Sequence, residues 1–183
     1  MAVCYGSFLI GGISIERYNT NLFSSATYAH EHGELDQYRA SHKANIACKE
    51  AIEQAIADNY RDNRLGPACV QQVLQKFDPD RIFYVLANTV QQKDYDGRIS
   101  RDNKAWAQTI PVCEDKDGFG YDRNVCFVVD RSHTGLMDLF LTQARREYAL
   151  AQEKPSVRDS LNKSVGQQAA HSGKPKMKKE QAR

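Results

Sequence analysis

The chain has 183 residues, of which 41% are hydrophobic and 26% charged, and its 25 Lys and Arg against 23 Asp and Glu give a net charge of +2. These values exclude a collagen-like, a wholly disordered or a membrane-embedded chain. The length suits one domain, or one domain with a tail. No apolar run approaches the ~18 residues of a membrane span, and no basic segment precedes the apolar N-terminus, so we expect neither a span nor a secretory signal.

The first third of the chain predicts a hairpin, a loop and a long helix. The segment 2–17 has two apolar runs joined by Gly11-Gly12, which favours two strands and a tight turn. The polar, small residues 19–33 predict a loop. From Glu34 to Tyr60, apolar residues recur on one helical stripe among many alanines, which predicts a helix.

The rest of the chain predicts short helices and one strand. Asp78 is a good N-cap for a helix that begins at Pro79 and runs to about Gln92. Ser100 is a good N-cap for the next helix. The remaining predicted elements are helices over Pro67–Phe77 and Arg101–Gln108, a strand over Val125–Val129 and a last helix from Thr134. The sum is a helix-dominated α+β chain with four to five helices.

Charge separates the body from the tail. From Glu153 to Arg183 there are eight Lys and Arg against three acids, whereas the rest of the chain carries a net charge of −3. The tail has no aromatic residue and is too polar to bury a core, so we expect disorder there. We therefore predict an N-terminal hairpin and loop over 1–35, a helical domain over 36–150 and a basic tail over 151–183.

The five cysteines do not form a metal motif. Their number is odd and no C-x-x-C pair occurs, which favours free thiols in a reducing cytoplasm. The turns DYDG and DKDG have their glycine at the wrong position for a calcium-binding EF-hand loop. We expect no metal and no cofactor.

Acid–base residues are present without a recognised catalytic motif. His42, Glu50 and His133 could supply general acid–base chemistry, for instance in a ribonuclease that holds phosphate with a neighbouring Lys or Arg. The sequence has no G-x-S-x-G, no H-E-x-x-H, no P-loop and no G-x-G-x-x-G. A helical histidine is more often structural, so an enzyme that uses His42 and Glu50 is the alternative interpretation.

Two groups of basic residues are candidates for nucleic-acid or partner binding. Basic residues interleaved with aromatics suit phosphate contact and base stacking, and the first group surrounds Tyr95 and Trp106. The other interpretation is a charged surface over a buried Trp106, since three aspartates dilute this group. The second group, in the tail, predicts salt-dependent attraction without specificity. The groups are Lys93, Arg98, Arg101 and Lys104, and Lys174, Lys176, Lys178 and Lys179.

Four stretches, within about 36–149, resemble a domain family of unknown function from conjugative-element and prophage proteins of gut bacteria. They are YRASHKANIACKEAIEQAIADNY, YVLANTVQQKDYD, RISRDNKAWAQTI and LFLTQARREY. The resemblance implies an accessory role on mobile DNA and supplies no catalytic residues. Small proteins of that origin include anti-CRISPR inhibitors.

We therefore expect a non-enzymatic inhibitor of a type II CRISPR effector nuclease, which binds the effector or its guide RNA and blocks DNA binding or cleavage in the bacterial cytoplasm. The alternatives are an enzyme that cleaves guide RNA or DNA, and a nucleic-acid-binding module of a conjugation system. No membrane partner is expected.

Overall fold

The computed structural model describes residues 25–153. The predicted hairpin over 2–17 and the basic tail lie outside these residues. The chain divides into two compact units, Met1–Arg146 and Glu147–Arg183. The first unit contains the core and both candidate sites, and the described part of the second is the end of the last helix.

The described chain is helical with one small hairpin, which confirms the helix-dominated α+β class. Six α-helices, two strands and a 3₁₀ helix follow one another. In chain order they are α1 Ala26–Glu31, α2 Leu35–Asn59, β1 Tyr60–Arg61, β2 Arg64–Leu65, α3 Ala68–Leu74, α4 Pro79–Gln92, α5 Arg101–Ala107, the 3₁₀ helix Arg123–Phe127 and α6 Thr134–Glu153. Within residues 25–153, every helix is too short or too polar to traverse a bilayer.

Helix α4 is the centre of the core. Val85, Leu86, Ala87 and Val90 are fully buried, because α4 packs against α2, α3, α5 and the 3₁₀ helix. At roughly 1.5–3 kcal/mol for each buried Val or Leu side chain, this packing contributes several kcal/mol to the stability of the first unit. The sites lie around this core, on the loops and helix ends that it holds in place.

Two predicted helix starts are confirmed in detail. Helix α4 begins with Pro79, and the Asp78 carboxylate accepts the N–H of Asp80 at 3.2 Å. Helix α5 follows Ser100, whose hydroxyl accepts the N–H of Asn103 at 3.3 Å. These caps are local, which is why the sequence alone predicts them.

Two element predictions were wrong. Part of the predicted loop 19–33 is helix α1, which Ser25 caps by accepting the N–H of Tyr28. The predicted strand Val125–Val129 is largely a 3₁₀ helix, which begins where the Asp122 carboxylate accepts the N–H of Asn124. Val129 then donates its N–H to the Thr89 hydroxyl of α4 at 3.0 Å. The acceptor of this N–H is thus a side chain, where a strand would use the carbonyl of a neighbouring strand.

The hairpin β1–β2 was not predicted. It follows α2 directly, and its two turn residues, Asp62 and Asn63, both have positive φ angles, 51° and 59°. Such angles at both central positions match the turn type that suits a two-residue hairpin, and Asn and Asp adopt them more readily than other residues with a side chain.

Candidate functional site

Three of the four predicted basic residues of the body are held by acceptors of their own chain. Lys93 Nζ lies 2.7 Å from Asp130 Oδ1 and 3.0 Å from the carbonyl of Val129. Arg98 Nη2 lies 2.6 Å from Asp96 Oδ2. The pKa of the Asp96 carboxyl is held well below its usual range because Arg98 donates hydrogen bonds to it.

The other two members differ from each other. Lys104 donates to the backbone carbonyl of Asp94. Arg101 is exposed and has no hydrogen bond or ion pair within residues 25–153. Trp106 is half-buried, whereas Tyr95 is 86% exposed. Of the four residues of this group, only Arg101 therefore presents a cation without a hydrogen bond or ion pair in the described chain, and the tail lysines lie outside the described residues.

The structure does not bring His42 and Glu50 together. His42 lies between the rings of Tyr38 and Phe127, at centroid distances of 5.9 and 5.7 Å, and its Nε2 lies 3.5 Å from the carbonyl of Arg123. Glu50 is eight residues further along α2, which corresponds to a rise of about 12 Å. His42 is therefore a packing residue in this arrangement.

Glu50 instead shares a pocket with His133. The pocket has a volume of about 280 Å³ and lies between the second half of α2 and the segment that leads into α6. Tyr60 and Arg131 also line it. A carboxylate, an imidazole and a guanidinium that line the same pocket are a set that can move a proton and hold an anion.

A buried carboxylate holds this pocket in shape. Glu53 is 6% exposed, and its Oε1 accepts the backbone N–H groups of Asp130 and Arg131 at 2.8 and 2.9 Å. Lys49 Nζ lies 3.5 Å from its other oxygen. The segment that carries His133 is therefore fastened to α2. The sequence offered no signal for Glu53, because its partners are 77 and 78 residues away.

A second exposed feature is the loop 117–121, called here the aromatic loop. Phe119 is 90% exposed and Tyr121 is 74% exposed. Asp117 Oδ1 accepts the N–H groups of both residues, at 2.8 and 2.9 Å, and Asp117 donates its own N–H to the carbonyl of Tyr121 at 2.9 Å. Gly120 adopts a φ of +86°, which a residue with a side chain rarely adopts. The loop is thus closed on itself by its own hydrogen bonds.

The base of the aromatic loop is anchored to the helices. Asp115 is 3% exposed, and its carboxylate accepts the Tyr38 hydroxyl of α2 and the N–H of Ala26 at 3.1 Å. Arg123 donates its N–H to the carbonyl of Asp115 at 2.8 Å. Burial and the Asp115 carboxylate raise the pKa of Tyr38 to about 12, so the phenol keeps its proton well into the alkaline range. Because of these anchors, the aromatic side chains project from a fixed base.

A family model of proteins of unknown function, DUF3849, matches residues 22–149. The chain belongs to the DUF3849 family. No curated protein and no solved structure matches the chain. The DUF3849 match begins before α1 and ends within α6, so both the aromatic loop and the pocket of Glu50 and His133 belong to the family domain.

Proposed function

We propose that this chain is an accessory protein of mobile DNA that inhibits a type II CRISPR effector nuclease. It binds the effector or its guide-RNA complex in the bacterial cytoplasm and blocks DNA binding or cleavage without catalysing a reaction. The resemblance to domains of conjugative elements and prophages supports the partner class. The aromatic loop supports binding to a protein.

The exposure of Phe119 and Tyr121 is the observation that carries the binding part. Aromatic side chains contribute much of the binding free energy at protein interfaces, where they fill pockets of the partner. In this loop the backbone is already closed by Asp117, so binding would order few additional residues. Large aromatic groups that a fixed backbone holds in water are typical of an interaction site.

The paired charges of the body argue in the same direction. A surface that binds nucleic acid needs cations free to replace counterions. Lys93, Arg98 and Lys104 are engaged with acceptors of this chain. A contact with the nuclease protein, or with its guide complex through the basic tail, therefore fits these three side chains better than a contact of the same side chains with bare DNA.

The proposal is tested with a guide-loaded type II effector and its target DNA. Target cleavage and guide length are followed while the ratio of this protein to the effector is raised. We expect cleavage to stop near one-to-one with the guide intact. Unimpaired cleavage at a large excess of this protein would contradict the proposal.

A cleaving enzyme is the second candidate, because the structure places Glu50 and His133 in one pocket. In this version Glu50 or His133 takes the proton of an RNA 2′-hydroxyl and the other protonates the leaving 5′-oxygen, while Arg131 holds the phosphate. The His42 and Glu50 pair of the sequence analysis is replaced by Glu50 and His133.

The enzyme candidate predicts loss of the guide at substoichiometric doses. In that case the Glu50→Gln and His133→Ala variants should each reduce guide cleavage by about 100-fold or more. His42→Ala is the matched control, since His42 lies outside this pocket. Equal guide cleavage by all four proteins would remove the pocket from consideration as its source.

A further inference from the structure

An open groove about 900 Å³ in volume runs between α5 and α6, and its lining residues belong neither to the aromatic loop nor to the pocket of Glu50 and His133. Helix α5 provides one wall and the first unit's part of α6 the other. Most of its lining residues have polar or charged side chains, and two of them are consecutive arginines. Asp102, Asn103 and Trp106 line it on the side of α5, and Asp138, Arg145 and Arg146 line it on the side of α6.

Arg145 is held in a fixed orientation in this groove. Its guanidinium carbon lies 5.4 Å from the centre of the Trp106 ring, and its Nη1 donates to Asn103 Oδ1 at 2.6 Å. The rings of Trp106 and Phe83 in turn pack in a T-shaped arrangement at a centroid distance of 5.6 Å. Among residues 25–146, the structure shows no hydrogen bond from Arg145 Nη2 or Nε. These donors are available to a ligand.

Asn103 is fixed in the same way on its other side. It is 1% exposed, and its Nδ2 donates to Asp138 Oδ1 at 2.8 Å and to the Thr142 hydroxyl at 3.0 Å. A buried amide that uses both its donors and its acceptor has one orientation. The hydrogen bonds from Asn103 to Asp138 and from Arg145 to Asn103 therefore fix the plane of the Arg145 guanidinium before any ligand binds.

The charges of the groove leave the arginines available for an anion. Asp138 Oδ1 also accepts the N–H and the hydroxyl of Ser100, each at 3.1 Å. The negative charge of Asp138 is therefore partly neutralised by donors at the start of α5. Arg146 is exposed and has no hydrogen bond or ion pair within residues 25–146. The other acid of the lining, Asp102, lies in the first turn of α5 and accepts no hydrogen bond from a side chain of the described residues.

We propose that the α5–α6 groove binds a phosphate group. A guanidinium offers two parallel N–H donors that match two oxygens of a phosphate, and the fixed plane of Arg145 reduces the entropy lost on binding. Arg146 supplies the second positive charge. The phosphate belongs either to a free nucleotide or to the backbone of a single-stranded nucleic acid, since both present the same group.

Trp106 makes the proposal directly measurable, because it is the chain's single tryptophan and lines the groove. Its fluorescence is followed while the full-length protein is titrated with AMP, and separately with an oligothymidylate of about eight nucleotides. Isothermal titration calorimetry is run in parallel. We expect saturable binding of at least one ligand, and the one that binds more tightly identifies the source of the phosphate.

Variants separate the groove from other cationic surfaces. Arg145→Lys, which cannot offer a fork, and Arg146→Ala should each weaken binding about tenfold. Asp102→Asn should strengthen binding a few-fold, because it removes a negative charge that repels the phosphate. Arg64→Ala, on the exposed side of β2, is the matched control and should bind as the parent does.

Two results would overturn the proposal. One is the absence of heat and fluorescence change with both ligands at millimolar concentration. The other is unchanged affinity in both Arg145→Lys and Arg146→Ala, which would place any binding elsewhere, including in the tail. Arg146 is exposed and makes no internal bond in the described chain, so its removal should leave the fold intact. Circular dichroism of that variant checks this point.

Discussion

Buried polar side chains hold the loops of the candidate sites in place. Asn103, Asp115 and Glu53 are each less than 7% exposed, and each joins segments more than 30 residues apart. A buried polar group without partners is costly, so removing one member of such a network exposes the others to that cost. These three residues are therefore the positions at which a single substitution should matter most for the loops.

Asn103→Ala should lower the free energy of unfolding by about 2–3 kcal/mol, because Asp138 and Arg145 lose a shared buried partner. Urea unfolding followed by circular dichroism measures the change. Gln108→Ala is the control on an exposed helix end and should stay within about 0.5 kcal/mol of the parent. If Asn103→Ala lowers the free energy of unfolding by less than about 0.5 kcal/mol, the network does not stabilise the fold.

At the scale of the elements, the hairpin β1–β2 depends on a turn with two left-handed residues. Asn63, at a φ of 59°, also accepts the hydroxyl of Tyr60 at 3.1 Å. Asn63→Ala and Asn63→Gly both lose that bond, so the difference between them measures the cost of the positive φ angle for a residue with a side chain. The alanine variant should be less stable than the glycine variant by about 1 kcal/mol.

The same urea measurement on the two variants checks this difference. A separate readout is hydrogen exchange at Gly66, whose N–H donates to the carbonyl of Asn59 just outside the hairpin. Faster exchange in the alanine variant is expected. Equal stability and equal exchange would contradict the role given to the turn.

Elements with local signals were predictable from the sequence, and those with distant partners were not. Asp78-Pro79 and Ser100 predicted the starts of α4 and α5, because a cap involves residues two or three positions apart. The apolar run Val125–Val129 indicated a strand, yet a single side chain on α4 receives the N–H of Val129. No local pattern shows that partner.

The candidate sites follow the same division. Glu50 and His133 were both singled out as acid–base residues, whereas their common pocket depends on the way Glu53 fastens a distant segment to α2. The aromatic loop was predicted as a turn from its Asp-Gly sequence. Its anchoring through Asp115 and Tyr38, 77 residues apart, required the structure.

At the scale of the whole molecule, buried thiol and phenol groups predict a loss of stability at alkaline pH. Burial raises the pKa of Cys48 and of Tyr38 to about 12, from ordinary values of 9.0 and 10.0. The folded chain therefore holds these protons more tightly than the unfolded chain. Their stabilising contribution is complete below about pH 9 and is lost as the pH rises toward about 12.

We expect the free energy of unfolding, measured in urea at a series of pH values, to fall steadily between pH 9 and 12. Cys48→Ala should reduce the slope over this range, since one of the linked protons is removed. Cys126→Ala, at an exposed position, is the matched control and should leave the slope unchanged. A flat profile from pH 8 to pH 11 would contradict the linkage.

The central proposal is that the family domain binds a type II effector through the aromatic loop. The most direct measurement is a dose–response titration of target cleavage by a guide-loaded effector with the parent protein and with the double variant Phe119→Ala, Tyr121→Ala. Arg61→Ala, on the exposed hairpin, serves as the control. We predict that the parent and the control inhibit near one-to-one and that the double variant needs at least about 30-fold more protein, as expected when two exposed aromatic anchors are lost. Equal inhibition by all three proteins, or inhibition by none, would contradict the claim.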